Sequence, residues 1–184
     1  PVHVAADLLS QAEHDKLASA VLVTDSMALA AKVQAEVERQ VRLLPRVEIA
    51  SASIDRNGKI IVADTLDAAI SIANALAPEH LELCVDNPFD WLDSIRHAGS
   101  VFMGRNCPEA LGDYMAGPNH TLPTQGTAKF SSPLSVDDFV KKSQFTYYTK
   151  EALQNCAAKV AKFANKEGLQ AHAASALIRT EEKS

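Results

Sequence analysis

Apolar residues recur along the first 103 positions in two alternating patterns, and this alternation predicts the fold. Short apolar runs rich in Val, Ile and Leu predict four buried strands. The runs lie at 19–24, 59–63, 81–85 and 100–103. Between several of them, apolar residues return every three or four positions, as in an amphipathic helix. Strands that alternate with helices are typical of an α/β fold with a mostly parallel sheet flanked by helices.

Start and stop signals delimit the helices of this region. Asp25 or Ser26 offers a cap for one helix, which ends at Pro45, and Asp64 or Thr65 caps another. Residues 5–14 are rich in strong helix formers and contain no helix-breaking residue. Together these signals predict helices over 5–14, 27–44, 65–76 and 88–97.

The pattern changes after Gly104. Residues 105–133 are rich in Pro, Gly, Ser, Thr and Asn and predict a long loop, which scattered aromatic and aliphatic residues indicate is ordered and functional. Ser135 and Asp138 resemble a capping box that opens a short helix. Two further helices are predicted over 150–165 and 168–179. We therefore expect an α/β domain over 1–134 and a helical tail over 135–184.

Composition narrows the class of protein. The 184 residues carry a formal net charge of -5, which argues against a nucleic-acid or anionic-membrane surface. No apolar run is long enough to predict a membrane span, and we expect no signal peptide from the opening residues. The three cysteines are far apart and form no Cys-x-x-Cys pair, which favours a reducing cytoplasm over a disulfide framework or thiolate zinc site. The chain opens at Pro1 almost inside a helix, so we expect it to be a piece of a longer polypeptide.

Two pairs of residues stand at spacings that suit chemistry. Gln11 and His14 lie three apart on a predicted helix, where an amide oxygen and an imidazole could share one cation; the alternative is an exposed polar face. Glu79 and His80 are adjacent between a helix and a strand, where they could transfer protons. On spacing alone, the alternative that His80 merely caps the helix carbonyls is favoured.

Other candidates lie in the polar loop and the tail. Asp113 and His120 fall in the glycine-rich loop, although Asp and His are also common turn residues. Glu167 and His172 flank the start of the last predicted helix, where surface positions are the ordinary case. Together, four of these candidates would make a cation site suited to catalytic Zn²⁺ or Mn²⁺. They are the amide of Gln11, the imidazoles of His14 and His172, and the carboxylate of Asp113. Spacing does not show that these residues meet.

Several blocks of this sequence resemble consecutive blocks of histidinol dehydrogenases. They occur in that family's order, cover nearly the whole chain, and include one long and highly specific block. The blocks are VAADLLSQAEHD, APEHLEL, AGSVFMG, ALGDYMAGPNHTLPTQGTAKFSSPLSVDDF and LQAHAASALIR. The resemblance implies a Rossmann-like, aldehyde-dehydrogenase-like half with a helical C-terminal tail.

The resemblance also implies an activity and a set of site residues. The activity is the NAD⁺-linked oxidation of L-histidinol to L-histidine through histidinaldehyde, the last steps of histidine biosynthesis. Glu79 and His80 match the catalytic acid–base pair. The implied ligands of one Zn²⁺ per subunit are Gln11, His14, Asp113 and His172. The implied substrate contacts are these four residues with His80, His120 and Glu167. The family forms homodimers in which the tail of one subunit completes the site of the other.

The sequence departs from the family's pattern in two ways. Ala77 stands where the family usually has glycine before Pro-Glu-His. The chain corresponds to the C-terminal portion of the family, so we expect the NAD-binding segment and one substrate-contacting serine to lie upstream of Pro1. No residue here is assigned to NAD, and we expect the isolated chain to be inactive. The alternatives are a related oxidoreductase of another alcohol, or a non-catalytic metal-binding or dimerisation module.

Overall fold

The computed structural model describes residues 1–181 and has a mixed α/β architecture. Three short 3₁₀ turns accompany its helices and strands, at Val41–Leu43, Thr127–Lys129 and Val136–Phe139. The helices are α1 (Val2–Ala12), α2 (Met27–Gln40), α3 (Val47–Asn57), α4 (Leu66–Leu76), α5 (Phe89–Leu92), α6 (Glu109–Tyr114), α7 (Lys150–Lys166) and α8 (Gln170–Leu177). The strands are β1 (Val21–Thr24), β2 (Lys59–Val62), β3 (His80–Leu83) and β4 (Ser100–Met103).

The four predicted strands are confirmed, but their arrangement differs from the expected sheet. Within residues 1–181 they form two separate parallel pairs, β1 with β2 and β3 with β4. In the second pair His80 stands opposite Ser100, and Glu82 opposite Phe102. The apolar period of a strand fixes which face is buried, but it does not identify the neighbouring strand. The prediction of one mostly parallel sheet was therefore wrong for the described residues.

Two of the predicted helix caps are confirmed. The Ser26 hydroxyl accepts a hydrogen bond from the Leu29 N–H at 3.2 Å, and the Thr65 hydroxyl accepts one from Ala68 at 3.2 Å. The C-terminal cap of α4 is Ala77, which adopts a left-handed backbone conformation with φ of 50°. Glycine is the usual residue for this conformation. The departure at Ala77 therefore falls where a side chain costs backbone strain.

Three helix predictions need correction. Helix α1 ends at Ala12, so His14 lies in the turn that follows it. Helix α5 is a single turn, where the sequence predicted ten residues over 88–97. Helix α3 was not predicted at all, because its buried face is made of Ala50 and Ser53, which give no apolar stripe.

The main core lies between the first three helices. Leu9 of α1 packs with Val33 and Val37 of α2 and with Ala50 of α3. Burying side chains of this size removes apolar surface from water, which stabilises the fold by roughly 1.5–3 kcal/mol for each Val or Leu. The buried Ser53 hydroxyl donates to the Ala18 carbonyl at 2.9 Å, so no hydrogen-bonding capacity is lost there. This core fixes α1, which carries Gln11.

The predicted loop over 105–133 is partly helical. It contains α6 and a 3₁₀ turn at Thr127–Lys129. The capping box is confirmed, because the Ser135 hydroxyl accepts from the Asp137 N–H and the Asp138 carboxylate accepts from the Ser135 N–H. Helix α6 has no side-chain cap of its own, and this lack of a local start signal explains why the sequence did not reveal it.

The chain forms two compact units, one over Pro1–Val140 and a second that begins at Lys141. The second unit is the pair of helices α7 and α8, whose buried contacts are made by Ala161, Ala164 and Ala173. The predicted tail over 135–184 extends past residue 181, beyond the described residues. None of the described helices has the length and apolarity that a bilayer crossing requires.

Candidate functional site

Glu79 and His80 lie where the chain enters β3, and backbone contacts hold them there. The carbonyl of Pro78 accepts from the Gly99 N–H at 2.9 Å, and that of Glu79 accepts from the Ser100 N–H at 2.8 Å. A Cβ at position 99 would lie 2.6 Å from the Glu79 carbonyl oxygen, so only glycine permits this approach. The strand pair therefore sets the position of the backbone that carries the predicted acid–base pair.

The side chains of His80 and Glu82 share one face of β3, because residues two apart on a strand point the same way. Phe102, opposite Glu82 on β4, places its ring centroid 5.9 Å from that of His80. Helix α6 packs over Phe102 at Gly112, where a Cβ would lie 2.6 Å from the ring. The absence of a side chain at Gly112 thus lets α6 approach the face that carries His80.

Three side chains meet on this face. His80, Glu109 and Asp113 offer ligand atoms that all lie within 4.8 Å of one another. The His80 Nε2 atom is 3.9 Å from Glu109 Oε1, and both side chains are 16% exposed. Glu109 and Asp113 stand one helical turn apart on α6, which places them on the same side of it. Nitrogen and oxygen donors this close could hold a divalent cation or relay a proton.

Glu109 was missed by the sequence interpretation. Its segment was predicted as a loop, and a glutamate after Asn-Cys-Pro gives no signal of its own. The available signal was the spacing of four between Glu109 and Asp113, which is informative only once the segment is known to be helical. Contact with α1 then fixes the carboxylate, since the Ser10 hydroxyl donates to Glu109 Oε2 at 3.1 Å.

Helix α1 presents a polar face toward this site. Asp7 hydrogen-bonds Glu82, and Ser10 bonds Glu109. Gln11 follows Ser10 and stands one turn after Asp7, so it belongs to the same face of the helix. His14 is exposed beyond the helix end and does not join the cluster of His80, Glu109 and Asp113.

Glu82 and Asp7 are two half-buried carboxyl groups in contact. Desolvation raises the pKa of both, and the neighbouring Asp7 adds to the effect on Glu82, whose pKa rises to about 7. Glu82 Oε1 also accepts a hydrogen bond from the backbone N–H of Glu109 at 2.8 Å, which lowers this pKa in part. The pair therefore tends to retain one proton near neutral pH.

The remaining predicted residues occupy other places. His120 is exposed in the segment after α6, which is anchored by a hydrogen bond from the Leu134 N–H to the Thr121 carbonyl and by Pro123 against Gly99. Glu167 is the C-terminal cap of α7, and His172 lies in α8. Both are exposed residues of the second compact unit. The convergence of His172 with the other predicted ligands stays a prediction.

Comparisons with known proteins identify the family of the chain. The sequence profile of histidinol dehydrogenase matches residues 1–180. The chain belongs to the histidinol dehydrogenase family. The resemblance stated from the sequence blocks is confirmed.

Its relatives are substantially longer than the chain. A histidinol dehydrogenase of Bacillus cereus is 58% identical over 181 residues, which are 98% of this chain and 42% of that protein. One of Syntrophotalea carbinolica is 55% identical over 179 residues, covering 97% and 42%. The crystal structure of histidinol dehydrogenase from Elizabethkingia anophelis is 41% identical with a TM-score of 0.89, covering 97% of this chain and 41% of that one. The chain thus spans about two fifths of the length of these relatives.

Proposed function

We propose that this chain supplies the acid–base and zinc-binding part of an enzyme that oxidises L-histidinol to L-histidine with NAD⁺. Membership of the histidinol dehydrogenase family supports the substrate and the place in histidine biosynthesis. The observation that carries the proposal is the meeting of His80, Glu109 and Asp113 within 4.8 Å beside the polar face of α1. We propose no nucleic-acid or membrane partner, and we place the enzyme in the cytoplasm.

We assign the zinc ligands to Gln11, His14, Asp113 and His172. Their donors are one amide, two imidazoles and one carboxylate, a set that suits catalytic zinc with an open position. Asp113 lies in the observed cluster, and Gln11 shares the helix face that contacts it. When bound, zinc would orient the imidazole and amino nitrogens of the substrate.

The residues of this chain would then handle the protons. In the first step the His80 imidazole accepts the alcohol proton of L-histidinol, while the carbon-bound hydrogen leaves as hydride to NAD⁺. In the second step Glu79 accepts a proton from water, which attacks the aldehyde carbon. A second hydride transfer to another NAD⁺ gives the carboxylate. The side chain of Glu109, 3.9 Å from His80, would stabilise the imidazolium formed in the first step.

Two further features complete the proposal. His120 and Glu167 contact the substrate, and a carboxylate at Glu167 suits a cationic amino alcohol. The enzyme is a homodimer in which the tail that carries His172 completes the site of the other subunit. The NAD-binding segment lies outside this chain, so the isolated chain is expected to bind zinc without forming NADH.

The test is NADH formation at 340 nm by the full-length gene product, with L-histidinol and a sulfonated diol as competing substrates. We expect turnover of L-histidinol with two NADH formed per histidine. His80→Asn should lower the rate by about 10²–10⁴ and retain zinc, because it removes proton transfer rather than a ligand. Turnover of the diol alone would make the protein an oxidoreductase of another alcohol. No turnover of either by a zinc-loaded protein would favour a non-catalytic metal-binding module.

A further inference from the structure

Glu82 joins three of the elements that gather around His80: strand β3 and helices α6 and α1. It lies on β3 itself, two residues after His80. Its Oε1 accepts the Glu109 N–H at 2.8 Å, at the first residue of α6. Its carboxyl group also hydrogen-bonds Asp7 of α1. One side chain therefore joins the strand of the proposed base to the two helices that carry Gln11 and Asp113.

Helix α6 depends on this contact more than a longer helix would. It has six residues, its N-cap is Pro108, and no side chain caps it locally. Short helices gain little from their own hydrogen bonds, and their first N–H groups need outside acceptors. Glu82 supplies the acceptor for the Glu109 N–H from the neighbouring strand. Loss of this acceptor would free the start of the helix on which Glu109 and Asp113 stand.

The contact with Asp7 requires a proton. Two ionised carboxylates only accept hydrogen bonds, so a bond between them forms when one is protonated. The raised pKa of Glu82, about 7, makes it the better candidate to hold that proton. A protonated Glu82 can donate to Asp7 with one oxygen while the other accepts from Glu109.

We propose that Glu82 is a positioning residue, which fixes α6 against β3 and α1 so that Asp113 and Glu109 face His80. The inference rests on the proposed zinc site, and nothing in the predicted ligand or acid–base set includes Glu82. A glutamine at this position would keep both contacts, since its Oε1 accepts and its amide N–H donates. A leucine of similar size would keep neither.

The experiment compares Glu82→Gln and Glu82→Leu in this chain, each checked for folding by circular dichroism. Two quantities are measured: hydrogen exchange of the Glu109 amide without metal, and the zinc dissociation constant by competition with a chromophoric chelator. We expect Glu82→Leu to speed exchange at Glu109 and weaken zinc binding about 10–100-fold, as loss of an outer contact does at metal sites. Glu82→Gln should stay within about 3-fold of wild type in both.

Glu38→Leu, the same chemical change on the exposed face of α2, is the control and should alter neither quantity. A folded Glu82→Leu variant with wild-type exchange at Glu109 and wild-type zinc affinity would overturn the proposal. So would a Glu82→Gln variant as impaired as the leucine variant. If the wild-type chain binds no zinc, the proposed function fails at this point. Exchange at Glu109 then decides separately whether Glu82 positions α6.

Discussion

At the scale of single residues, contacts between distant parts of the chain assemble the cluster of His80, Glu109 and Asp113. Of this cluster, His80 and Asp113 were predicted from the family blocks, because motif matching needs no knowledge of the fold. Glu109 and Glu82 were missed because their roles depend on contacts between distant parts of the chain. Glu109 meets Ser10, 99 positions away. No pattern within one sequence reports such a contact.

The Glu82–Asp7 pair gives a prediction about pH in the metal-free chain. The pKa of Glu82 is raised to about 7 in the folded state, so the folded chain binds a proton more tightly than the unfolded chain. The contribution of this group to the free energy of unfolding is therefore largest in acid and falls as the pH rises through about 7. Urea unfolding at pH 5, 6, 7 and 8 measures it.

Glu82→Gln is the reference for this measurement, because it lacks the titrating group and keeps the six histidines. The wild-type free energy of unfolding, taken relative to Glu82→Gln at each pH, should decline between pH 5 and pH 8. A difference that is constant or rises over this range would show that Glu82 is not a high-pKa acid in the folded chain.

At the scale of elements, predictions were accurate where local signals are strong. The helix that Ser26 caps and the one that Thr65 caps have the predicted starts. Helix α6 was missed because its start is completed by Glu82 on another element rather than by a neighbour in sequence. The prediction of a single sheet was wrong for the described residues for the same reason, since strand pairing is a property of the assembled fold.

The packing of α6 against Phe102 of β4 gives a prediction at Gly112. Gly112→Ala should destabilise the chain by about 1–3 kcal/mol, because a Cβ there overlaps the Phe102 ring. The added Cβ atom would lie 2.6 Å from the Phe102 Cε1 atom. The change should also weaken zinc binding, since Asp113 follows Gly112 directly. Urea unfolding and chelator competition measure the two effects.

Phe102→Leu tests the cause of this effect. It removes the ring atoms that the new methyl group would strike, so the double variant should be more stable than the sum of the two single changes predicts. Strict additivity would mean that Gly112 is required for another reason.

At the scale of the whole molecule, the two compact units carry different parts of the proposed site. Gln11, His14 and Asp113 lie in the first unit and His172 in the second. The division between an α/β part and a helical part was expected from the loss of strand patterns after residue 103. Apolar periodicity does not predict whether the proposed tail exchange between subunits occurs, because it reports only which face of each helix is buried.

Co-expression of two inactive variants tests the shared site. In the full-length gene product, His14→Ala and His172→Ala should each lose zinc when expressed alone. If the tails are exchanged, a mixed dimer holds one site with both imidazoles. Random pairing then restores about a quarter of the wild-type zinc content and activity. Metal analysis of the purified mixture that finds no recovery would place all four ligands within one subunit.

The most direct test of the account locates the metal itself. Crystals of the chain grown with Zn²⁺, with diffraction recorded on both sides of the zinc absorption edge, give the ion's position from its anomalous signal. We expect one strong peak bound by Gln11, His14, Asp113 and a His172 side chain, beside but not on His80. A peak held instead by His80 and Glu109, or no peak on this face of β3 at full zinc loading, would contradict it.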